Sequence, residues 1–262
     1  VALSRQTTGC SGARIGHPRG FLLGRILLAV DPQPRHSVEK PERRVDVAQA
    51  ETINGASPSR TASREVRQRQ LIEATIDSIA ERGFSATTLA MVTKGAKLSH
   101  GIVNFHFNNK ETLFVETLGF LAQEHYDHWH GAMKAAGPDP SKQLAAIIKV
   151  DFERTISSPK KLAVWFAFWG QAKYRPAYLE IHDHYDQQRT SEIERLCGLI
   201  VEDGGYENID VASTARSLEA LVDGLWLCLL LYPVNSPRKA ALNDCFTFLA
   251  RVFPKHYSSL SG

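Results

Sequence analysis

Residues 87–114 read TTLAMVTKGAKLSHGIVNFHFNNKETLF, and their caps and apolar spacing predict two short helices joined by a tight turn, followed by the start of a third. The Thr87-Thr88 pair suits the cap of the first short helix, in which Leu89, Val92 and Ala96 recur at i, i+3, i+7 and share an inward face. Ser99 suits the cap of the second. Along that helix Ile102 and Val103 can turn inward while His100, Asn104 and Phe105 turn out. The outward face is therefore short, polar and aromatic, and supplies the groups that base edges in a major groove require. Asn109 ahead of Lys110 and Glu111 has the form of a cap and first turn, whose free amides and positive dipole end suit a phosphate oxygen. Lys110 adds a charge there. Because many helical bundles contain two short capped helices, this pattern needs support from its surroundings.

That support lies just upstream. Ser63 can cap a helix whose Leu71, Ile72, Ile76, Ile79 and Ala80 repeat at helical spacing, with Gly83 as its stop. Arg60, Arg64, Arg67 and Arg69 crowd the beginning of this helix against a single acid, Glu65. Such a patch either contacts phosphates or is merely a solvated helix end. The segments RQLIEATIDSIAERGFSATTLAMV and LSHGIVNFHFNNKETLF resemble the TetR family of one-component repressors, from about Arg64 onward. The resemblance implies a three-helix DNA-binding domain followed by a larger helical domain for ligand binding and dimerisation. Carried over by position, it implies that Thr88, His106 and Lys110 contact phosphates. His100, Gly101, Asn104 and Phe105 would lie against base edges, beside Ser99 and near Arg64 and Arg67. Two departures stand out. Lys97 occupies a turn position where the family usually has Gly, which costs roughly 1 kcal/mol if the turn is left-handed; Gly95, two residues earlier, offers relief. His106 replaces a frequent Tyr, and a titrating ring there would make DNA affinity rise as pH falls.

Composition sets outer bounds. The chain has 262 residues and a formal net charge of +3, too mild to identify a nucleic-acid partner by itself. Its four cysteines, Cys10, Cys197, Cys228 and Cys245, form no C-x-x-C pair, and the last three sit in apolar helical contexts, as reduced core thiols of a cytoplasmic protein do. The best apolar run, Phe21 to Val30, is interrupted by Gly24 and Arg25, too short for a membrane span and poorly formed for a signal peptide. Residues 1–60, rich in Arg, Pro, Ser and Gly, read as a disordered arm or an over-extended start.

Beyond the head, Pro and Gly breaks predict six further helices, at about 110–135, 141–157, 159–172, 176–203, 211–232 and 237–254, nine in all, and no strand pattern competes. The expected fold is all-α, with a helix-turn-helix domain over 61–109, a ligand-binding and dimerisation domain over 110–256, and a tail over 257–262. The last two helices are apolar over more than one face. Leu218, Leu221, Leu225, Leu229, Phe246 and Leu249 are the expected dimer interface, through which two heads read a palindromic double-stranded operator. Deep burial within one subunit is the alternative.

For the effector, KLAVWFAFWGQAKY places Trp165, Phe168 and Trp169 on one helical face, and ALVDGLWL sets Asp223 and Trp226 one turn apart in an apolar helix. An acid so placed needs a partner, either a cationic ligand or a neighbouring arginine, and indoles around a carboxylate suit a quaternary ammonium group. The two segments resemble the C-terminal domain of betaine-synthesis repressors of BetI type, which implies choline or a related amine as effector and control of choline and glycine-betaine genes. The histidines of EHYDHWH and IHDHYD, at residues 124–130 and 181–186, are spaced poorly for a metal, since His182 and His184 diverge by about 200° on a helix. No nucleophile elbow, HExxH or phosphate loop occurs. No enzyme activity, cofactor or metal is therefore expected. A TetR-type regulator of another small molecule, or a helical ligand-binding protein with a degenerate head, stays open.

Overall fold

The computed structural model describes residues 59–99, 101–234 and 237–258, and every regular element among them is helical. α1 (Ser59–Arg82), α2 (Leu89–Gly95) and α3 (Gly101–Phe107) pack on one another as a three-helix head. α4 (Lys110–Ala135) runs from that head into a body of α5 (Pro140–Asp151), α6 (Pro159–Ala172), α7 (Pro176–Gly204), α8 (Val211–Leu231), α9 (Arg238–Val252) and the single turn α10 (Pro254–Tyr257). The described residues thus hold ten helices rather than nine. The arm, Cys10 and the Phe21 to Val30 run lie outside them. No described helix is long and apolar enough to cross a membrane.

Most boundaries have local causes. Gly83 ends α1 at φ 82°. The Thr88 hydroxyl accepts from the Met91 amide at 3.3 Å, and the Asn109 side chain accepts from the Thr112 amide at 2.8 Å, so both expected caps form. Pro140, Pro159 and Pro176 each open a helix, where a missing N–H removes no intrahelical bond. Gly205 closes α7 in the left-handed region at φ 56°. Two boundaries have other origins. α1 begins at Ser59, a turn ahead of the Ser63 cap read from the sequence. α5 stops at Asp151 rather than 157, because Arg238 at the start of α9 donates to the Phe152 carbonyl at 3.3 Å and to the Ser157 carbonyl at 2.8 Å, fixing a turn over 152–158.

The body's apolar faces meet along α4, α5, α7, α8 and α9. Here the expected dimer contacts need correcting: Leu218 and Leu249 are fully buried within the single chain, and Leu229 and Phe246 nearly so. Only Leu221 and Leu225 keep part of their surface. The broad apolarity of α8 and α9 therefore reflects helices wrapped on several sides by their own chain. The tail is shorter than read, since Tyr257 is buried and its hydroxyl donates to the Ser141 carbonyl at 2.7 Å. Cys197 and Cys245 are buried free thiols, each pushed up to about 12 by burial, and Cys228 is half-buried.

The turn between α2 and α3 carries visible strain. Lys97 sits at φ 56°, while Gly95 stays within α2 and gives no relief. Lys97→Gly should therefore stabilise the chain by up to about 1 kcal/mol, the left-handed penalty less glycine's extra chain entropy, read as a higher urea midpoint at unchanged slope.

Candidate functional site

The head presents α3 as its outward element. Val103 and Phe107 are buried beneath it, whereas Asn104 is exposed and Phe105 is 71 % exposed. Gly101, Asn104 and Phe105 lie on one face at i, i+3, i+4. Ser99 is exposed, and its carbonyl rather than a side-chain cap takes the Ile102 amide at 3.1 Å. His100 lies outside the described residues. Thr88, at the α2 cap, and Lys110, at the α4 start, flank the same helix, with the Lys110 ammonium 4.9 Å from the Phe114 ring centre. Arg64 and Arg67 are exposed. Arg69 is not free for a phosphate, because its Nε pairs with Glu73 at 2.7 Å and its guanidinium lies 4.0 Å from the Phe120 ring centre. His106 is half-buried, edge-on to Phe105, and its Nδ1 is buried without a partner. Burial, and then the charge of Arg64, lower its pKa below 6.5, so the ring is neutral at pH 7.

In the body a cavity of about 60 Å³ opens among α4, α5, α6, α7 and α8. At about 10–15 Å³ for each water this holds roughly four to six, room for a small molecule. Trp165, Trp169, Asp223 and Trp226 line it as expected, and Trp129 joins them, so all four tryptophans of the chain surround one space. Phe168 does not. It is buried on the head side of α6, edge-to-face with Phe84, Phe114 and Tyr178.

The polar floor was not legible in the sequence. Arg189, buried on α7, donates to Asp151 Oδ2 at 2.6 Å and to Glu219 Oε2. His125 Nε2 lies 2.8 Å from the other Asp151 oxygen, and Trp226 Nε1 donates to the Asp151 carbonyl at 2.8 Å. Arg189 pairs i to distant j, from α7 to α5 and α8, and no spacing rule reveals that. Burial opposes the guanidinium charge, but Asp151, Glu219, Asp223 and Asp186 together hold it ionised. Burial pushes Glu219 up to about 8 against the pull of Arg189. The same effect raises Asp223 to about 7, although its exposed surface lets water in and favours the smaller displacement. Glu219 Oε1 and Trp169 Nε1 are buried without a partner. Four carboxylates thus face one guanidinium, and the pocket is short of positive charge whenever they ionise.

The pocket and head are joined by contact. α6 carries Trp165 and Trp169 on one side and, on the other, Phe168 and Lys160, which pairs with Asp77 of α1. At the α6–α7 corner Arg175 donates to Glu111 at 2.6 Å, next to Lys110, and lies 5.4 Å from the Phe84 ring centre. Among the described residues no group of three metal-ligating side chains converges.

Two consequences can be measured. Arg189→Ala leaves Asp151 and Glu219 facing each other without a cation and should destabilise the chain by about 3–5 kcal/mol, seen as an early urea transition. At the head, a phosphate oxygen beside His106 would raise a pKa that burial has lowered. The complex then holds a proton that the free chain lacks, so DNA affinity should rise as pH falls from 7 towards 5.5, and His106→Tyr should flatten that slope. Equal slopes in the two chains would exclude a role for this ring.

Comparison with known proteins accords with this layout. Residues 71–117 match the family of bacterial regulatory proteins described as tetR family, and residues 140–254 match the BetI-type transcriptional repressor C-terminal domain. The HTH-type transcriptional regulator BetI of Burkholderia lata is 34% identical over 164 residues, 63% of this chain and 82% of that protein. Its counterpart from Burkholderia cenocepacia is 33% identical over the same length. Among solved structures, a transcriptional regulator from Pseudomonas aeruginosa PAO1 has 26% identity and a TM-score of 0.66, covering 74% of this chain and 94% of that one. A transcriptional regulator from Saccharomonospora viridis, solved in complex with choline, shares the fold at a TM-score of 0.64 and 17% identity, covering 71% and 96%. With a three-helix head, an all-helical body and relatives matched over most of their own length, the chain belongs to the TetR family of transcriptional regulators, non-enzymatic proteins, and carries a C-terminal domain of BetI type.

Proposed function

We propose that this regulator is a cytoplasmic homodimeric repressor that binds a palindromic operator and releases it when choline or a related small amine enters the body. The operator would govern genes of choline and glycine-betaine metabolism. The observation that carries the reading is the convergence of four tryptophans and an excess of carboxylates on one small cavity. Each indole face contributes on the order of 1–2 kcal/mol to a desolvated cation, and Glu219 and Asp223 offer the negative charge. The relatives of BetI type and the choline complex of a similar fold support the same class of ligand.

A dimer seam is supported by apolar groups left open on α8 and just after it: Leu227, Leu231 and Tyr232, beside half-buried Leu221 and Leu225. Two heads held by such a seam read half-sites about one helical turn apart. Thr88 and Lys110, with Arg64 and Arg67, hold phosphates. Linkage then requires the ligand to prefer the spacing that does not fit DNA, and the operator to weaken ligand binding by the same factor. α4 and α6, which touch both pocket and head, are the levers. A tenfold loss of operator affinity needs only about 1.4 kcal/mol of coupling.

The test is binding of the purified chain to DNA upstream of its own gene, with competitor DNA, titrated with choline. Choline should weaken specific binding at least tenfold, and Asp223→Asn should blunt that response while leaving operator affinity intact. A cation favours ionised carboxylates, so its binding displaces protons from Glu219 and Asp223, and choline affinity should rise as pH increases from 6 to 8. Specific DNA binding indifferent to choline would keep the regulator and remove the ligand.

A further inference from the structure

The exposed face of α3 contains no charge. Its seven residues are GIVNFHF, with Val103 and Phe107 turned inward and His106 half-buried and neutral at pH 7. What remains outward is Gly101, the amide of Asn104, which has no partner among the described residues, and the 71 % exposed ring of Phe105. The cations lie on the neighbouring elements rather than on this face: Arg64 on α1, Lys94 on α2, Lys97 in the turn and Lys110 on α4.

This division of labour restricts what the helix can recognise. Phosphate contacts position a protein on DNA, whereas base contacts specify sequence. The commonest base-specific contact, a bidentate Arg or Lys on the O6 and N7 of guanine, has no donor on α3. An asparagine amide, one donor beside one acceptor, matches the N6 and N7 of adenine. An exposed aromatic ring gains by covering the C5-methyl group of thymine, the one apolar group at the major-groove floor. Phe105 is the one large apolar side chain of α3 that is exposed, so covering it against a methyl group would remove apolar surface from water. Gly101 at i−3 and i−4 from these two lets the helix backbone approach the bases without a side chain between.

We infer that α3 reads A·T pairs: each operator half-site presents an adenine to Asn104 and a thymine methyl to Phe105, at neighbouring base pairs. The inference rests on the DNA-binding function proposed above and adds the class of sequence that the head selects. His100 lies outside the described residues and carries no part of the argument.

The test is selection of tight-binding duplexes from a randomised library by the full-length chain, followed by single-atom-group changes in the selected half-site. A·T pairs should dominate at two adjacent central positions. Replacing the contacted thymine by uracil, which removes only the methyl group, should weaken binding several-fold for the parent and leave Phe105→Ala unaffected. Replacing the contacted adenine by guanine should cost the parent about tenfold or more, and Asn104→Ala should lose that discrimination. Both side chains are exposed, so these variants should unfold at the same urea concentration as the parent, which separates readout from folding. Selected half-sites with G·C at these positions, or a parent indifferent to uracil, would overturn the inference while sparing the regulator. A chain that selects no sequence at all would overturn both.

Discussion

The body depends on one buried cation. Arg189 is the only guanidinium among the residues that line the cavity, and it ties α7 to α5 through Asp151 and to α8 through Glu219. A buried ion pair contributes little net stability when complete, yet it is expensive to break, because a lone charge in a low dielectric has nothing to balance it. Its value is therefore geometric. The Asp151 carboxylate is fixed between Arg189 and His125, its carbonyl receives the Trp226 indole, and three walls of the cavity are thereby set at once. Hydrophobic packing alone, being non-directional, would not hold four indoles and four carboxylates around an open space.

That same arrangement leaves the site unbalanced. Burial makes Glu219 and Asp223 resist ionisation, and the neighbouring carboxylates, which one guanidinium cannot neutralise, add to that resistance. A neutral ligand of the same size would fill the volume but leave this imbalance in place. The cation selectivity proposed would thus arise from what the protein withholds, a second Arg or Lys, as much as from the aromatic walls.

Between pocket and head the chain uses stiff parts. Phe84, Phe114, Phe168 and Tyr178 meet edge-to-face where α1, α4, α6 and α7 come together, and Arg175 seals the group against Glu111. Densely packed aromatic clusters shift as units rather than deform continuously. In the mechanism proposed, a displacement of α6 by a ligand against Trp165 and Trp169 would reach the foot of α4, where Lys110 sits, through this cluster.

The sequence by itself determined whatever is local along the chain. Thr88 and Asn109 cap because a side-chain oxygen can reach amides a turn ahead, and Pro140, Pro159 and Pro176 open helices because they carry no N–H to lose. The outward face of α3 followed from helical spacing, and so did the paired indoles of α6. Only the tertiary structure decided which apolar face met its own chain and which stayed free. Leu218 lies buried while Leu227 and Leu231 remain open, although all three belong to the one apolar helix α8. It alone ended α5 at Asp151, through Arg238 from nearly ninety residues away. It alone brought Trp129, Asp151, Arg189 and Glu219 to one cavity, since residues that meet across four helices leave no period in the sequence that joins them.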